Sequence, residues 1–254
     1  MNNELTHWGI KGQKWGVRRY QNKDGSLTKA GLKRYREDLN STDRTIKEGV
    51  ELQTITSRKY NEGESSRLYT AYTDYDKKMY KHMMGNIMYE KNGYDNTFVV
   101  KKDIKVASDK KVVEAFVKVA KENPIQTAKD MASAYQVSEE FRKAMEIGFK
   151  DKIEKLSGSD YDKQKNLAKQ FLSDTLMSKT ADVTTKNFYG YLLSKGYDAI
   201  SDVNDRRNIA QDPLIILNLD KIGLKGSVKM SSDDLQRYAE YVNTKEFKKA
   251  KYRV

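Results

Sequence analysis

The spacing of apolar positions along this chain changes from period two to helical and back again. Residues 51–57 (ELQTITS) and 67–73 (RLYTAYT) alternate and are rich in threonine, tyrosine and isoleucine, which predicts two strands. Residues 58–66 form a polar loop between them. Residues 74–84 read as a helix with Tyr75, Met79 and either His82 or Met83 on one side. Residues 96–106 read as a third extended piece with Phe98, Val99, Val100, Ile104 and Val106 as its apolar positions. From 108 to 179 the spacing is helical. Ser108 can cap a helix over 110–122 whose stripe is Val113, Phe116, Val117 and Ala120, and Pro124 stops it. Further helices are predicted over 125–135, from Ser138 to about Leu156, and over 161–178, where Leu167, Phe171, Leu172 and Leu176 form the face. Such stripes are core faces.

A last helix of this series, over 184–195, ends at Gly196, a residue suited to the left-handed C′ position. Residues 197–202 then read as a strand and 203–212 as a charged loop. Residues 213–219 (PLIILNL) make the most apolar strand of the chain, with Pro213 at its first position, where no ladder bond is lost. A helix over 232–242 and a basic tail over 245–253 close the pattern. The expected fold class is α+β.

Ahead of this lies a segment of different character. Both tryptophans fall in the first fifteen residues, in the doubled unit Trp8-Gly9-Ile10-Lys11 and Trp15-Gly16-Val17-Arg18. Residues 20–28 read as a turn built on Asp24-Gly25. Thr28 can cap a short helix over 29–39 with Ala30, Leu32, Tyr35 and Leu39 as a narrow apolar stripe. Burying one indole removes roughly 200 Å² from water, about 5 kcal/mol before ordering costs. Two exposed indoles are therefore unusual. Either they clamp the segment onto the protein's own core, or they dock onto another surface, where tryptophan and arginine are favoured anchors. In the docking reading the partner-binding residues are His7, Trp8, Ile10, Lys11, Lys14, Trp15, Val17, Arg18 and Arg19.

Composition narrows the chemistry. With 254 residues the chain is long enough for one large domain or two ordinary ones. A charged fraction of 33% and a mean hydropathy of -0.86 predict many solvated helix faces. No apolar run approaches the eighteen residues of a membrane span, so no membrane partner is expected. There is no cysteine, and His7 and His82 are the only histidines. Disulfides, thiolate sites and histidine-based zinc sites are excluded, and no metal is expected. A Ser/His/Asp arrangement is disfavoured for the same reason, and no phosphate-loop or dinucleotide glycine motif occurs. The net charge is +12, and residues 1–36, with nine Lys/Arg against Glu4 and Asp24, carry +7 of it. Such a basic arm suits packaged DNA or an acidic protein surface, or simply keeps the chain in solution.

The run from His7 to Tyr20, followed by Asp24-Gly25-Ser26-Leu27-Thr28 and Ala30-Gly31, resembles a module of head-associated proteins of tailed bacteriophages and prophages of Gram-positive bacteria. The resemblance covers about thirty residues. It implies a virion or head-morphogenesis context, with passage through the host cytoplasm during assembly, and phage head or portal proteins, or packaged DNA, as partners. It implies no reaction.

A second resemblance lies further on, in Gly196-Tyr197-Asp198-Ala199-Ile200, the loop with Asn204-Asp205, and Pro213 to Asn218. It is similar to the end of ADP-ribosyltransferase-like domains of phage and mobile-element proteins, and it extends over roughly 50–225. It implies a mixed sheet with an inserted helical region, and NAD as cofactor if the domain is enzymatic. Such enzymes cleave the nicotinamide-ribose bond with a carboxylate near the ribose, a cation for the pyrophosphate and a hydroxyl-bearing strand. The family carboxylate is Glu, whereas this loop offers Asp202 and Asp205. Gln53 or Thr54 occupies the first-strand cation position, leaving Arg58 or Arg67 as substitutes, with Thr70 and Thr73 on the hydroxyl strand. A misplaced catalytic group can cost on the order of 10²-fold. The expectation is therefore a docking module over 1–40, an ADP-ribosyltransferase-like domain over 50–254 with a helical insertion at about 108–180, and a virion-associated, non-enzymatic role without cofactor. The alternatives are NAD-dependent modification of host proteins and DNA binding through the basic arm.

Overall fold

The computed structural model describes residues 20, 28, 30–31, 42–61, 67–88, 92–156, 160–177, 183–201 and 212–245. The protein is α+β. In chain order the elements are β1 (Arg44–Ile46), β2 (Glu51–Thr56), β3 (Leu68–Thr70), α1 (Asp74–Met88), β4 (Tyr94–Val100), β5 (Ile104–Ala107), α2 (Asp109–Glu122), α3 (Pro124–Ser133), α4 (Glu139–Glu154), α5 (Tyr161–Met177), α6 (Val183–Ser194), β6 (Ala199–Ser201), β7 (Leu214–Ile216), a 3₁₀ turn (Leu219–Lys221), β8 (Ile222–Lys229) and α7 (Ser232–Val242).

The strands form two sheets, one of five strands in the order β1-β5-β6-β7-β3 and one of three in the order β2-β4-β8. Among the described strands only the β5 to β6 pairing is parallel, and the helices α2 to α6 make that crossover. A parallel neighbour requires a long connection, and the helical stretch supplies it. The three-stranded sheet is antiparallel throughout. A two-bond bridge between Gln53 and Ala71 ties β2 to the end of β3 and so joins the sheets.

Side-chain alternation sorts the core into layers. On the five-stranded sheet Ala107, Ile200 and Ile215 face the helices, in a cluster with Phe116, Met131, Phe171 and Phe188. Their neighbours Val106, Ala199, Leu214 and Ile216 face the other way, where Leu52, Phe98 and Ile222 of the small sheet meet them. The far side of the small sheet carries Ile55, and α1 and α7 cover it with Met88 and Leu235. Successive residues of one strand thus serve two cores, which is why β6 and β7 are apolar without alternation.

The sequence pattern locates most of these elements. Ser138 caps α4 by accepting from the Phe141 amide. Gly196 has φ +78°, and the Tyr197 amide donates to Leu192 O and the Gly196 amide to Leu193 O, the paired bonds of a Schellman end. Three expectations change. The extended piece over 96–106 is two strands in different sheets, broken at Lys101-Lys102-Asp103, where three successive charges cannot follow the strand into the core. Residues 44–46, where the spacing predicts no strand, form β1, and a turn follows at Gly49 with φ +85°. Ser108 stands before α2 without capping it through its side chain; its amide is held by the Asp43 carboxylate instead. In addition, β8 escapes the pattern because Gly223 and Gly226 dilute its apolar positions, and pairing with β4 overrides that weak propensity.

Candidate functional site

The strand β6 ends at Ser201 and β7 is preceded by Asp212, so these residues flank the 202–211 stretch. Arg44 on β1 reaches both. Its Nη2 donates to Ser201 Oγ at 2.8 Å and its Nη1 to the Asp212 carboxylate. Tyr72 also donates to Asp212, and the Asp212 amide donates to Asp76 Oδ2 at 2.9 Å. Asp76 and Asp212 are fully buried. Buried carboxylates persist when charge-assisted bonds replace water, and this knot provides them.

A second knot lies at the opposite end of β6. The Asp198 carboxylate accepts from the Lys105 amide at 2.9 Å, Asn218 Nδ2 at 2.9 Å and Lys221 Nζ at 2.7 Å. Its carbonyl accepts from the Leu217 and Asn218 amides. Next to it, Tyr197 donates to Asp43 at 2.8 Å and Lys105 lies over the Tyr197 ring. Burial, then the Asp43 bond, pushes the Tyr197 hydroxyl up to about 12. Burial opposes ionisation of Asp43 as well, but the Ser108 amide and the Tyr197 hydroxyl outweigh it and hold that carboxyl below its usual range. The Gly-Tyr-Asp and Leu-Asn signatures of the sequence thus meet as one polar joint, which holds strands together.

The sequence-predicted cofactor residues lie at the end of β2, along β3 and at the start of α1. Arg58 is exposed just beyond β2, its carbonyl accepting from Thr56 Oγ1. Arg67 donates to the Tyr69 hydroxyl at 3.1 Å and lies 5.4 Å from the Tyr189 ring on the helical layer. Thr70 is buried and pairs with Leu214. Thr73 starts α1, its hydroxyl accepting from the Asp76 amide. Asp202 and Asp205 lie outside the described residues, as do His7, Trp8, Ile10, Lys11, Lys14, Trp15, Val17, Arg18 and Arg19.

A family model described as a family of unknown function (DUF7211) matches residues 1–22. No curated protein and no solved structure matches the chain. Among the described residues there is no group of three or more His, Asp or Glu placed to hold a metal ion, and no helix is long and apolar enough to cross a membrane.

The described residues do form one cleft that the sequence reading missed. It has a volume of about 530 Å³ and is lined by Asp74, Lys77, Lys78, Lys81 and His82 of α1, Arg237 and Tyr238 of α7, and Gln53 of β2. The α1 residues fall at the i, i+3, i+4, i+7 and i+8 positions of one helical face. That spacing was available in the sequence, beside the apolar stripe of Tyr75 and Met79 that packs against α7. At its floor Gln53 Nε2 donates to Asp95 Oδ1 at 2.5 Å, and Lys81 pairs with Asp95 at 2.9 Å. His82 stacks on Tyr241 with ring centroids 3.9 Å apart and meets Tyr238 edge-on. Burial, then the charges of Lys78 and Arg237, lowers His82 to about 4, so the imidazole is neutral near pH 7.

Proposed function

We propose that this chain is a virion-associated or head-associated accessory protein of a tailed bacteriophage, fastened to a head or portal protein by its N-terminal tryptophan segment. The observation that carries the reading is the extent of the family match, which ends at residue 22, whereas the first described strand begins at Arg44. A unit of that length is far below the size at which a chain buries its own core. A peptide recognisable by itself, carrying two indoles and several cations, is suited to anchoring on a larger surface. On this reading the α+β domain is the cargo of the anchor. The protein resides in the virion after assembly in the host cytoplasm.

The finer reading of the domain is an ADP-ribosyltransferase-like fold. A mixed five-stranded sheet against a three-stranded antiparallel one, with helices inserted between β5 and β6, supports it. The NAD-dependent alternative draws on one observation, the fastening of both ends of the 202–211 stretch by Arg44, because a catalytic carboxylate needs a rigid mount. Against it stand the shorter Asp side chains and Gln53 or Thr54 at the first-strand cation position.

Two measurements test this. Mass spectrometry of purified particles is expected to find the full chain and to lose it when residues 1–22 are deleted, while the deleted chain keeps a cooperative thermal transition. Loss of that transition on deletion assigns the tryptophans to the protein's own core and ends the docking proposal. The purified chain is expected to release no nicotinamide from NAD above background. Turnover that disappears in Asp202→Ala or Asp205→Ala, with folding intact, replaces the accessory reading with the enzymatic one.

A further inference from the structure

We propose that the cleft between α1 and α7 is a binding site for a small organic phosphate. The proposal is independent of the docking role of the N-terminus. Four cations line the cleft, Lys77, Lys78, Lys81 and Arg237, against one carboxylate, Asp74. Two of the four are already engaged from the side, Lys81 by Asp95 and Arg237 by Asp234. Lys77 and Lys78 have no ion-pair partner among the described residues. With Asp74 counted as well the net charge is +1, and Glu51 also acts electrostatically on Lys77.

Stability alone does not account for this arrangement. Lys77 and Lys81 are a like-charged i, i+4 pair and Lys78 and Lys81 an i, i+3 pair, both mildly unfavourable on a helix. Arg237 adds a further cation from the opposite wall. By contrast α4 sets its charges as the pairs Lys143 with Glu139 and Lys150 with Glu154. Concentrating one sign of charge in a cleft focuses its field on an anion. A phosphate ester is preferred over a carboxylate because donors on two walls, Lys77 and Lys78 on α1 and the remaining N–H groups of Arg237 on α7, suit a group with three oxygens.

Size and lining refine the ligand. About 530 Å³ is within the range of small-molecule sites and far more than one phosphate group fills. Tyr238 supplies an aromatic wall for the body of the ligand. Beneath the cleft, Gln53 Oε1 and His82 Nδ1 belong to side chains more than nine-tenths buried and have no hydrogen-bond partner among the described residues. Because Gln53 Nε2 is committed to Asp95, its Oε1 is left as an acceptor, which calls for a donor such as a hydroxyl or amino group. A polar body under the cleft thus complements the cationic rim.

The test is calorimetric titration of the full chain with ADP, with inorganic pyrophosphate and a 20-nucleotide single-stranded DNA as separate arms. One ADP is expected to bind per chain, with pyrophosphate competing. Lys77→Gln with Lys78→Gln is expected to weaken binding at least tenfold, and Arg237→Gln, on the other wall, to weaken it as well. The double variant should melt no lower than the parent in the absence of ADP, since it removes like charges from one face. Lys150→Gln on α4 should bind as the parent does. The proposal is overturned if ADP gives no saturable heat, if the double variant binds as the parent does, or if only the oligonucleotide binds.

Discussion

Asn218 donates from its side-chain amide to the carboxylate of Asp198, twenty residues earlier, at 2.9 Å. The bond spans the joint between the start of β6 and the end of β7, and the same carboxylate holds the Lys105 amide and the Lys221 ammonium. Asp198 is buried, whereas Lys221 is partly open to water. Removing the acceptor strands three donors at once. Asp198→Ala is therefore expected to destabilise the protein by about 3 to 5 kcal/mol, the range for breaking a buried ionic pair. Lys221→Met removes only the outermost partner and should cost about 1 kcal/mol. Urea titration at neutral pH measures both, and equal losses would show that the carboxylate does not coordinate the joint.

Arg44 supplies a comparable test on the other side of β6. Arg44→Met leaves the Asp212 carboxylate in the core without its guanidinium, so a loss of about 3 kcal/mol or more is expected. Lys143→Met on α4 breaks an exposed pair with Glu139 and should change stability by under about 0.5 kcal/mol. The two thermal shifts, compared in one buffer, check the contrast. A small effect of Arg44→Met would mean that the knot does not fix the ends of the 202–211 stretch.

These contacts mark the limit of what spacing reveals. The apolar stripes of α2 and α5 announce Phe116 and Phe171 as core because helical burial depends on local period, and both are fully buried. The Gly196 end was legible because a left-handed C′ residue has a local signature. The split of 96–106 was less legible, since Val100 and Ile104 both enter the core between the sheets although they belong to different sheets. The pairing of Asp198 with Asn218 depends on which strands become neighbours, which composition does not encode. The basic cleft falls between these cases. Its α1 wall repeats at helical spacing, but Gln53 and Arg237 come from β2 and α7, 184 positions apart in the chain and brought together only by folding.

Gly85 shows where α1 meets α7 most closely. A Cβ built there would lie 2.6 Å from Tyr238 Cβ, and Cβ is fixed to the backbone of α7. Gly85→Ala gains about 1 kcal/mol of helix propensity, but relieving the overlap by moving α7 costs about 1 to 3 kcal/mol. Net destabilisation is expected. Gly148→Ala on α4 meets no neighbouring atom and should stabilise by about 1 kcal/mol. Opposite signs in parallel thermal melts would support the close approach, and stabilisation by both would contradict it.

His82 couples the same interface to pH. Its folded-state value of about 4 lies below the ordinary 6.5, because burial against Tyr238 and Tyr241 and the nearby Lys78 and Arg237 disfavour the cation. The unfolded chain therefore binds the proton more readily than the folded one. The sign follows from linkage: stability contributed by neutral His82 is fully present above pH 6.5 and declines as pH falls from 6.5 towards 4, with no further loss from this group below that. His82→Phe keeps an aromatic ring between the tyrosines but cannot titrate. Its Tm is expected to fall less than that of the parent between pH 6.5 and 4.5, while the two profiles run parallel from pH 7 to 8. Thermal melts across that range decide the matter, since parallel profiles throughout would mean that the proton is taken up without disturbing the α1 to α7 contact.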